Sequence, residues 1–584
     1  MFKRLSLKSK RFMYFLIAFL VCILCPVLVV AEPICRNIVD TKLNYLLLKA
    51  KDDECIPVEI WLDDIDHTSI TLQAEKRTGI AKSELDVNKP LALPITKQKS
   101  TYIDKENIRI AREVEREKTD RFIIEKRTLS KSSYKDKISS FINAAGLSKY
   151  VTWTSTYSPS FLANLNKKQI SALQKNSLVC SISYYKPQEY TPESNVSLGT
   201  ARGNYTRDTL GYTGSGVKIG MYDSGSVSAS LNPELSGRRI INLVSSAASE
   251  HASKVASFIV GKNWGYAPDA TLYCMGGPGL MMRSSVETLL DQGVSVINMS
   301  MGGGECTTYD SDSNWLDHVS YQHQVSVVKS AGNDGNDRYI TSPGAAYNII
   351  TVGAIDCNHT IAVHDDTPYF RNNLLYPASC KPEVFAPGHN YDTGASVGGT
   401  SDAAPQVTGL IAQLIEQRPA IASNPMLIKA LVLVGGHDIN AYESFQTAGY
   451  SSIAPYHAGA IDAKVSCSSS SGGKYFTGQV TTVYSKEIAV SSSWSYLHLA
   501  LTWDVGSWIV TDDHEGGAMI PSSLIDLGFR IYAPGSDTPV AVGQTAQNSY
   551  ELMEVPVNGR GGTWRVEVSN YSNNIPSFFA VAYY

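Results

Sequence analysis

Short apolar runs separated by helical segments occupy the middle of the chain. The runs are rich in apolar residues and too short for most helices: 217–222, 270–275, 294–300, 324–330 and 349–354. Between two of them, residues 283–292 have the pattern of a helix. Buried strands that alternate with helices are typical of a parallel sheet covered on both faces. The pattern therefore predicts an α/β domain over residues 201–466.

The flanking regions follow different patterns. Before residue 200 the chain is rich in charged side chains, with strands predicted at 58–62, 161–165 and 179–184 and helices at 107–145 and 168–174. After residue 474, apolar and polar residues alternate in five runs: 497–503, 525–532, 551–557, 564–569 and 578–584. Alternation with period two is typical of antiparallel strands. We predict an α+β domain over 32–200, and an antiparallel β-sandwich over 474–584 that follows a flexible linker at 468–473.

The first 31 residues differ from the rest of the chain. Basic side chains precede an apolar stretch at 14–30, and the small residues at 29–31 suit cleavage by signal peptidase. This arrangement predicts a secretory signal and a secreted protein that is not held in a membrane after cleavage. The alternative is an uncleaved anchor, since the apolar stretch approaches the length that spans a bilayer.

Charge and cysteine content bear on three questions: nucleic-acid partners, zinc sites and disulfide bonds. The formal net charge is −4, with 51 Lys and Arg against 55 Asp and Glu, which gives no electrostatic reason to expect a nucleic-acid partner. Ten cysteines are present, of which Cys22 and Cys25 lie in the predicted signal, and the other eight include no CxxC pair that would indicate zinc. In an exported protein some of them should pair. Cys357 with Cys380 is the first candidate, because both lie in loop-like sequence.

Three polar residues stand where catalysis could use them. Asp223 follows an apolar strand, at the sheet edge where open α/β folds place their sites. His251 begins a helix with an apolar face, and Ser401 begins another after two glycines. A helix N-terminus favours a developing oxyanion and a neutral imidazole. Taken singly, a turn aspartate, a structural histidine and an N-cap serine are the commoner explanations.

A fourth segment, Lys329-Ser330-Ala331-Gly332-Asn333-Asp334-Gly335, follows a predicted strand. The amide of Asn333 could donate a hydrogen bond to an oxyanion. The alternative is an ordinary Asn-Asp-Gly turn.

Together these segments resemble the signature blocks of the subtilisin-like serine proteases, the subtilases. Asp223-Ser224-Gly225 is similar to the aspartate block, and HASKVA at 251–256 resembles the histidine block, usually HGTHVAG. GTSDAAP at 399–405 is similar to the family's GTSxAAP serine block. Stretches at 265–270, 298–303 and 331–333 also agree. The order Asp, His, Ser is that of subtilisin.

The resemblance implies a parallel-sheet subtilisin-like fold and serine endopeptidase activity. Ser401 would attack the scissile carbonyl, His251 would take the serine proton, and Asp223 would orient the imidazole. Asn333 and the backbone N–H of Ser401 would form the oxyanion hole. The substrate peptide would bind along two backbone edges, the first of which adds it as a strand. The residues of these edges are Ser300, Met301 and Gly302 on one side, and Ser330, Ala331 and Gly332 on the other.

The resemblance also extends beyond the central domain. Residues 161–184 look like the end of a subtilase prodomain, which implies a monomeric zymogen whose residues 32–200 inhibit it until self-cleavage between about 186 and 203. The C-terminal region is similar to β-domains of some bacterial subtilases. No cofactor is required, although subtilases often bind structural calcium. Asp310, Asp312 and Asn314 have suitable ligand chemistry without the full EF-hand spacing, so a plain surface loop is the alternative.

The match departs from the family at several positions. Lys254 replaces the second histidine, Ala252-Ser253 replaces Gly-Thr, and Gln406 replaces a common histidine. Asp402 replaces the usual apolar residue and adds negative charge beside the nucleophile. These departures leave open a catalytically inactive, subtilase-like protein used for binding or adhesion.

An esterase is a further alternative. Residues 394–398 spell G-x-S-x-G around Ser396, and Asp438, His437 and His457 follow. That motif needs a buried strand directly before the serine. Residues 387–392 have turn composition instead, so we predict that Ser396 is not the nucleophile.

Overall fold

The N-terminal region folds around a five-stranded sheet. The computed structural model describes residues 38–39, 41–89, 91, 105–185, 191–192, 201–306, 309–335, 339–356, 381–389, 399–436, 460–506, 510–512, 519–521, 525–544, 548–572 and 576–584. The strands are β1 (Ile38–Val39), β2 (Cys55–Leu62), β3 (Val151–Thr154), β4 (Ser160–Asn166) and β5 (Val179–Tyr184). The helices are α1 (Thr41–Lys49), α2 (His67–Thr78), α3 (Lys105–Ala144) and α4 (Lys167–Leu173). The sheet order is β1-β5-β2-β4-β3, and every pair except β1 with β5 is antiparallel. This is the predicted α+β unit.

A seven-stranded parallel sheet forms the centre of the protein. Its strands are β7 (Lys218–Asp223), β8 (Arg239–Asn242), β9 (Thr271–Gly276), β10 (Val296–Met299), β12 (Ser326–Ser330), β13 (Ile350–Asp356) and β14 (Val384–His389). Their spatial order is β14-β13-β12-β10-β7-β9-β8, and all six pairs are parallel. The predicted α/β fold is therefore confirmed.

Helices cover both faces of the central sheet. They are α5 (Glu250–Val260), α6 (Met282–Asp291), α7 (Ser311–His323), α8 (Thr400–Gln417), α9 (Pro425–Val434) and α10 (Ala463–Ser471). One apolar cluster joins α5, α8 and α9 to the sheet, and a second joins α6 and α7 to it. Neighbouring strand residues divide between the clusters, with Val328 in the first and Val327 in the second. This two-sided burial explains why consecutive apolar residues occur in strands such as β12.

The C-terminal region consists of antiparallel sheets. One sheet contains β15 (Tyr475–Val480), β17 (Tyr496–Trp503), β22 (Tyr550–Pro556) and β24 (Ser577–Tyr583). Another contains β16 (Val483–Val490), β20 (Leu527–Tyr532), β21 (Ala541–Gln544) and β23 (Gly562–Asn570). A separate short pair is formed by β18 (Val510–Asp512) and β19 (Met519–Pro521). Side chains from both four-stranded sheets share one apolar cluster that includes Trp503 and Trp564, as predicted for a sandwich.

Two local predictions are wrong. The segment 468–473 is not a free linker, because α10 continues to Ser471 and buries Ser469 and Ser470. Residues 387–389 are not a turn but the end of β14, the outermost strand of the described sheet. Both errors came from reading local composition without the packing that surrounds it.

The described residues all belong to one compact unit, Arg36–Tyr584. Among them, no helix combines the length and the apolar character that crossing a membrane requires. Cys180 is disulfide-bonded, whereas Cys55, Cys274, Cys306 and Cys467 are free. The predicted signal segment 1–31 and the predicted pair Cys357–Cys380 lie outside the described residues.

A buried ionic group joins the N-terminal region to the central domain. Arg283 of α6 is 1% exposed and contacts two carboxylates. Its Nη1 donates to Glu59 of β2, which is fully buried, and its Nε donates to Asp312 of α7 at 2.8 Å. Arg127 of α3 adds a second contact and donates to the backbone carbonyl of His323 at 2.9 Å. A buried charge that loses its partner destabilises a protein strongly.

We expect Arg283→Met to lower the free energy of unfolding of the full chain by about 3–5 kcal/mol, because Glu59 and Asp312 would face each other without a cation. Urea unfolding followed by circular dichroism measures this change. Lys131→Met is the matched control, since Lys131 and Asp291 form an ion pair across the same interface but are 38% and 40% exposed. The control should change stability by less than about 1 kcal/mol. Equal effects would show that burial of the pair is unimportant.

Candidate active site

Asp223 and His251 form a close pair at the carboxyl edge of the central sheet. Asp223 is the last residue of β7 and is 1% exposed. His251 lies in the first turn of α5, whose N-cap is Ser249. His251 Nδ1 lies 2.7 Å from Asp223 Oδ1. The same carboxylate oxygen accepts the backbone N–H of Ser224 at 2.7 Å, so the aspartate is fixed from two sides.

Ser401 lies at the same edge of the sheet, next to β10, which is the strand that pairs with β7. The last residue pair between β7 and β10 is Tyr222 with Met299. Asp223 and Ser300 directly follow these two residues, so they lie side by side at the edge of the sheet. Ser401 Oγ donates to the backbone carbonyl of Ser300 at 3.0 Å. Ser300 Oγ in turn donates to the backbone carbonyl of Ser401 at 2.7 Å. Asp223 and His251 therefore meet at the end of β7, and Ser401 contacts the residue that follows the neighbouring strand β10.

Asn333 borders the start of α8. Its Oδ1 accepts the backbone N–H of Thr400 at 2.9 Å and the Thr400 hydroxyl at 3.1 Å. A Cβ atom placed on Gly399 would lie only 2.5 Å from Asn333 Nδ2, so a glycine is needed for this close approach. Thr400 therefore holds the amide oxygen of Asn333, and the amide nitrogen lies close to the backbone of Gly399.

The two predicted substrate edges also lie here. A short strand, β11 (Met301–Gly302), pairs antiparallel with β6 (Thr191–Pro192), so that Met301 faces Pro192 and Gly302 faces Thr191. A segment of the N-terminal region thus occupies the edge that should bind substrate. On the other side Ser330 ends β12, and Ala331 and Gly332 follow it, with the Gly332 N–H donating to Thr400 Oγ1 at 3.0 Å.

Asp402 is fully buried beside Ser401, and neither of its carboxylate oxygens has a hydrogen-bond partner in the described part of the chain. Burial raises the pKa of Asp402 well above its usual range, Lys254 opposes this rise, and Asp223 adds to it. Burial likewise lowers the pKa of Lys254, against the effect of Asp402. Burial therefore opposes the negative charge that the sequence places beside Ser401.

The acidic residues considered for calcium already have other partners. Asp310 caps α7 and accepts the backbone N–H of Ser313 at 2.8 Å, and Asp312 accepts from Arg283. Across the described ranges, no group of three or more His, Cys, Asp or Glu residues is arranged to hold a metal ion. Calcium binding stays a prediction. Ser396, Asp438, His437 and His457 lie outside the described residues.

Sequence reasoning missed the residues that hold the predicted site in place. Thr400 links Asn333 to α8, and Ser224 links Asp223 to Ser249 through a contact of 2.7 Å between hydroxyl oxygens. In the sequence, only the positions of Thr400 and Ser224 next to Ser401 and Asp223 indicated that they could have a role.

Comparison with known proteins points to one family. Residues 214–435 match the model of the Subtilase family. Subtilisin-like protease 2 of Pseudogymnoascus destructans is 33% identical over 183 residues, which are 28% of this chain and 42% of that protein. Subtilisin DY of Bacillus licheniformis is 26% identical over 238 residues, 37% of this chain and 82% of that protein. The structure of the patellamide maturation protease PatA covers 44% of this chain and 98% of its own, at 22% identity and a TM-score of 0.35. This chain therefore spans less than half of the first relative and most of the second.

Proposed function

Through residues 214–435 the chain belongs to the subtilase family, and we propose that it is a secreted serine endopeptidase made as a self-processing zymogen. The observation that carries the proposal is the 2.7 Å contact between His251 Nδ1 and Asp223 Oδ1. This pair lies beside the end of β10, where Ser401 Oγ donates to the backbone carbonyl of Ser300. Family membership alone would not distinguish an active enzyme from an inactive relative.

In the proposed reaction Ser401 Oγ attacks the scissile carbonyl and His251 takes its proton. The carboxylate of Asp223 keeps Nδ1 protonated, so that Nε2 is the base, and it stabilises the imidazolium that forms. The tetrahedral oxyanion receives hydrogen bonds from Asn333 Nδ2 and the backbone N–H of Ser401. His251 then protonates the leaving amine, and water hydrolyses the acyl-enzyme by the same route.

The N-terminal region is the proposed inhibitor of the zymogen. Two features support this role: the pairing of Thr191 and Pro192 with Met301 and Gly302, and the buried contact of Glu59 with Arg283. Through the first feature, a segment of the chain itself lies along the edge where we expect the substrate peptide to bind. The basic and apolar start of the sequence supports secretion.

Labelling with a fluorophosphonate tests the proposal, because this reagent modifies a serine only when a catalytic base activates it. We expect the purified protein, once its N-terminal region has been removed, to carry one label, which fragmentation of the labelled peptide assigns to Ser401 and not to Ser396. A label on Ser396 would support the esterase instead. Correctly folded protein without any label would support the inactive binding protein.

A further inference from the structure

A short segment of the N-terminal region reaches into the apolar core of the rest of the chain. Leu85 ends a 3₁₀ helix, Lys82–Leu85, and packs into an apolar cluster with side chains of α2 and α3. Two residues later, Val87 is 5% exposed and belongs to the cluster that joins α5, α8 and α9 to the central sheet. That cluster also includes Ala500 and Ala580 of the C-terminal sandwich. Val87 is therefore part of a core that all three regions of the chain share.

The next residue, Asn88, contacts the edge of one C-terminal sheet. In the described sheet, β15 is an outermost strand and pairs only with β24. Asn88 Oδ1 accepts the backbone N–H of Thr477 in β15 at 3.0 Å, and Asn88 Nδ2 donates to Thr477 Oγ1 at 2.9 Å. The hydroxyl of Tyr475 donates to the backbone carbonyl of Val87 at 3.2 Å. Because an edge strand presents backbone groups that can pair with another segment, Val87 and Asn88 cover part of this edge.

A carboxylate of α3 strengthens the same contact. The two carboxylate oxygens of Glu115 lie 3.1 and 3.2 Å from Arg418 Nε, and one of them accepts the backbone N–H of Ala420 at 3.2 Å. Arg418 Nη2 also donates to the backbone carbonyl of Lys89. The side chains of Glu115 and Arg418 are only 15% and 12% exposed, so salt screens this ion pair less than a pair on the open surface.

This contact is separate from the interface that contains Arg283. Arg283 and His323 belong to α6 and α7, whose apolar cluster covers one face of the central sheet. Val87 belongs to the cluster on the other face. The N-terminal region therefore contacts elements on both faces of the central sheet, and its second contact includes the C-terminal sandwich. A cut between about 186 and 203 would leave both sets of contacts in place.

We propose that the C-terminal sandwich is a second binding surface for the inhibitory N-terminal region and keeps it bound to the enzyme after self-cleavage. The inference rests on the proposed function. When two binding surfaces belong to one folded unit, the second contact forms at a high effective concentration once the first is in place. The two surfaces together hold the inhibitor much longer than either would alone. Weakening the contact at Val87 and Asn88 should therefore release active enzyme sooner.

Val87→Ala tests the proposal in the full chain. A denaturing gel follows self-cleavage, and hydrolysis of a peptide substrate by the same samples follows release of the inhibitor. The variant removes buried methyl groups, so we expect the interval between cleavage and activity to be about tenfold shorter than in wild type. Val114→Ala is the matched control, because it makes the same change in the same region at a valine that is 50% exposed. It should leave the interval within about twofold of wild type.

Thr477→Val tests the contact from the C-terminal side. It keeps the shape of the side chain but removes the hydroxyl that accepts from Asn88 Nδ2. Thr477→Val and Asn88→Ala should each shorten the interval by about two- to tenfold. The double variant should shorten it by less than the product of the two effects, because both changes remove the same hydrogen bond. Effects that multiply fully would show that Asn88 and Thr477 do not act as a pair, and would overturn the proposed surface.

Hydrogen exchange gives a measurement that needs no activity. The full chain that carries Ser401→Ala should stay intact, and mass spectrometry of peptides from β15 reports exchange at Thr477. Adding Asn88→Ala should speed exchange of the Thr477 N–H by about tenfold, because Asn88 Oδ1 accepts its hydrogen bond. Adding Val114→Ala should not change it. An unchanged rate with Asn88→Ala would overturn the inference.

The possible failures can be told apart. Equal intervals in wild type, Val87→Ala and Thr477→Val, with Ser401 labelled as expected, would overturn the inference and leave the proposed function standing. Activity that appears together with cleavage in wild type would do the same, since no inhibitor would then be retained. A wild type that neither cleaves itself nor accepts a label at Ser401 would overturn the proposed function, and the inference with it.

Discussion

Ser401→Ala is expected to lower peptidase activity by about 10⁶-fold and to leave the N-terminal region attached. The alanine has no oxygen to attack a carbonyl, and His251 and Asp223 together cannot replace it. Intact mass spectrometry of wild type and variant measures the second effect directly. The wild type should lose the N-terminal region, whereas the variant should keep every residue that follows the signal segment.

Ser396→Ala is the matched control for this experiment. It removes a hydroxyl five residues away in sequence and should leave processing unchanged, because Ser396 has no role in the proposed mechanism. The loss of one hydrogen bond to Ser300 in Ser401→Ala should reduce stability by only about 1 kcal/mol, so misfolding would not explain lost activity. A reversed pattern, with Ser396→Ala inactive and Ser401→Ala processed, would contradict the assignment of the nucleophile.

Asp223→Asn is expected to lower kcat by about 10⁴-fold with a small change in KM. The contact of 2.7 Å with His251 Nδ1 requires an acceptor at this position. An amide that turns its N–H₂ group toward Nδ1 would favour the tautomer with its proton on Nε2, and that imidazole is no base for Ser401. It would also leave the imidazolium without an opposite charge.

Steady-state kinetics with one peptide substrate measure the effect of Asp223→Asn, and the rate of fluorophosphonate labelling should fall with kcat. Asp208→Asn is a suitable control because Asp208 is 59% exposed and pairs only with its neighbour Arg207 in the described contacts. It should stay within about twofold of wild type. If Asp223→Asn lost less than tenfold in kcat, Asp223 would not be the residue that orients His251.

Local sequence was sufficient to predict a strand or a helix wherever a single pattern of apolar residues determined it. The run 217–222 became β7 because apolar clusters cover both sides of it, which only a continuous apolar strand tolerates. The helix after Ser401 followed from the spacing of buried residues such as Ala404, Val407 and Leu410. The 40-residue helix α3 was predicted within two residues at both ends.

Local sequence failed where packing overrode composition. The serines of 468–473 suggest a linker, but the hydrogen bonds that Asp462 accepts from Lys464 and Val465 begin a helix there, and the central domain buries one side of it. Pro387 suggested a turn, yet a proline is tolerated in an outermost strand such as β14.

The position of Lys329 could not have been predicted from its neighbours in sequence. A lysine near the end of a strand is normally read as exposed, since lysine is almost never fully buried without a partner. Only the approach of Thr341 and Gly302, 12 and 27 residues away in sequence, shows that its ammonium is buried beside them. Contacts of this kind depend on tertiary structure.

The short strand β6 has a consequence for the timing of activation. While the chain is intact, the local concentration of Thr191 and Pro192 at β11 is set by the length of connecting chain and not by the amount of protein. Cutting the chain after them keeps the same hydrogen bonds but converts one molecule into two. Occupancy of the β11 edge then falls on dilution, so an enzyme that is blocked where it is made would become free as it spreads into a larger volume.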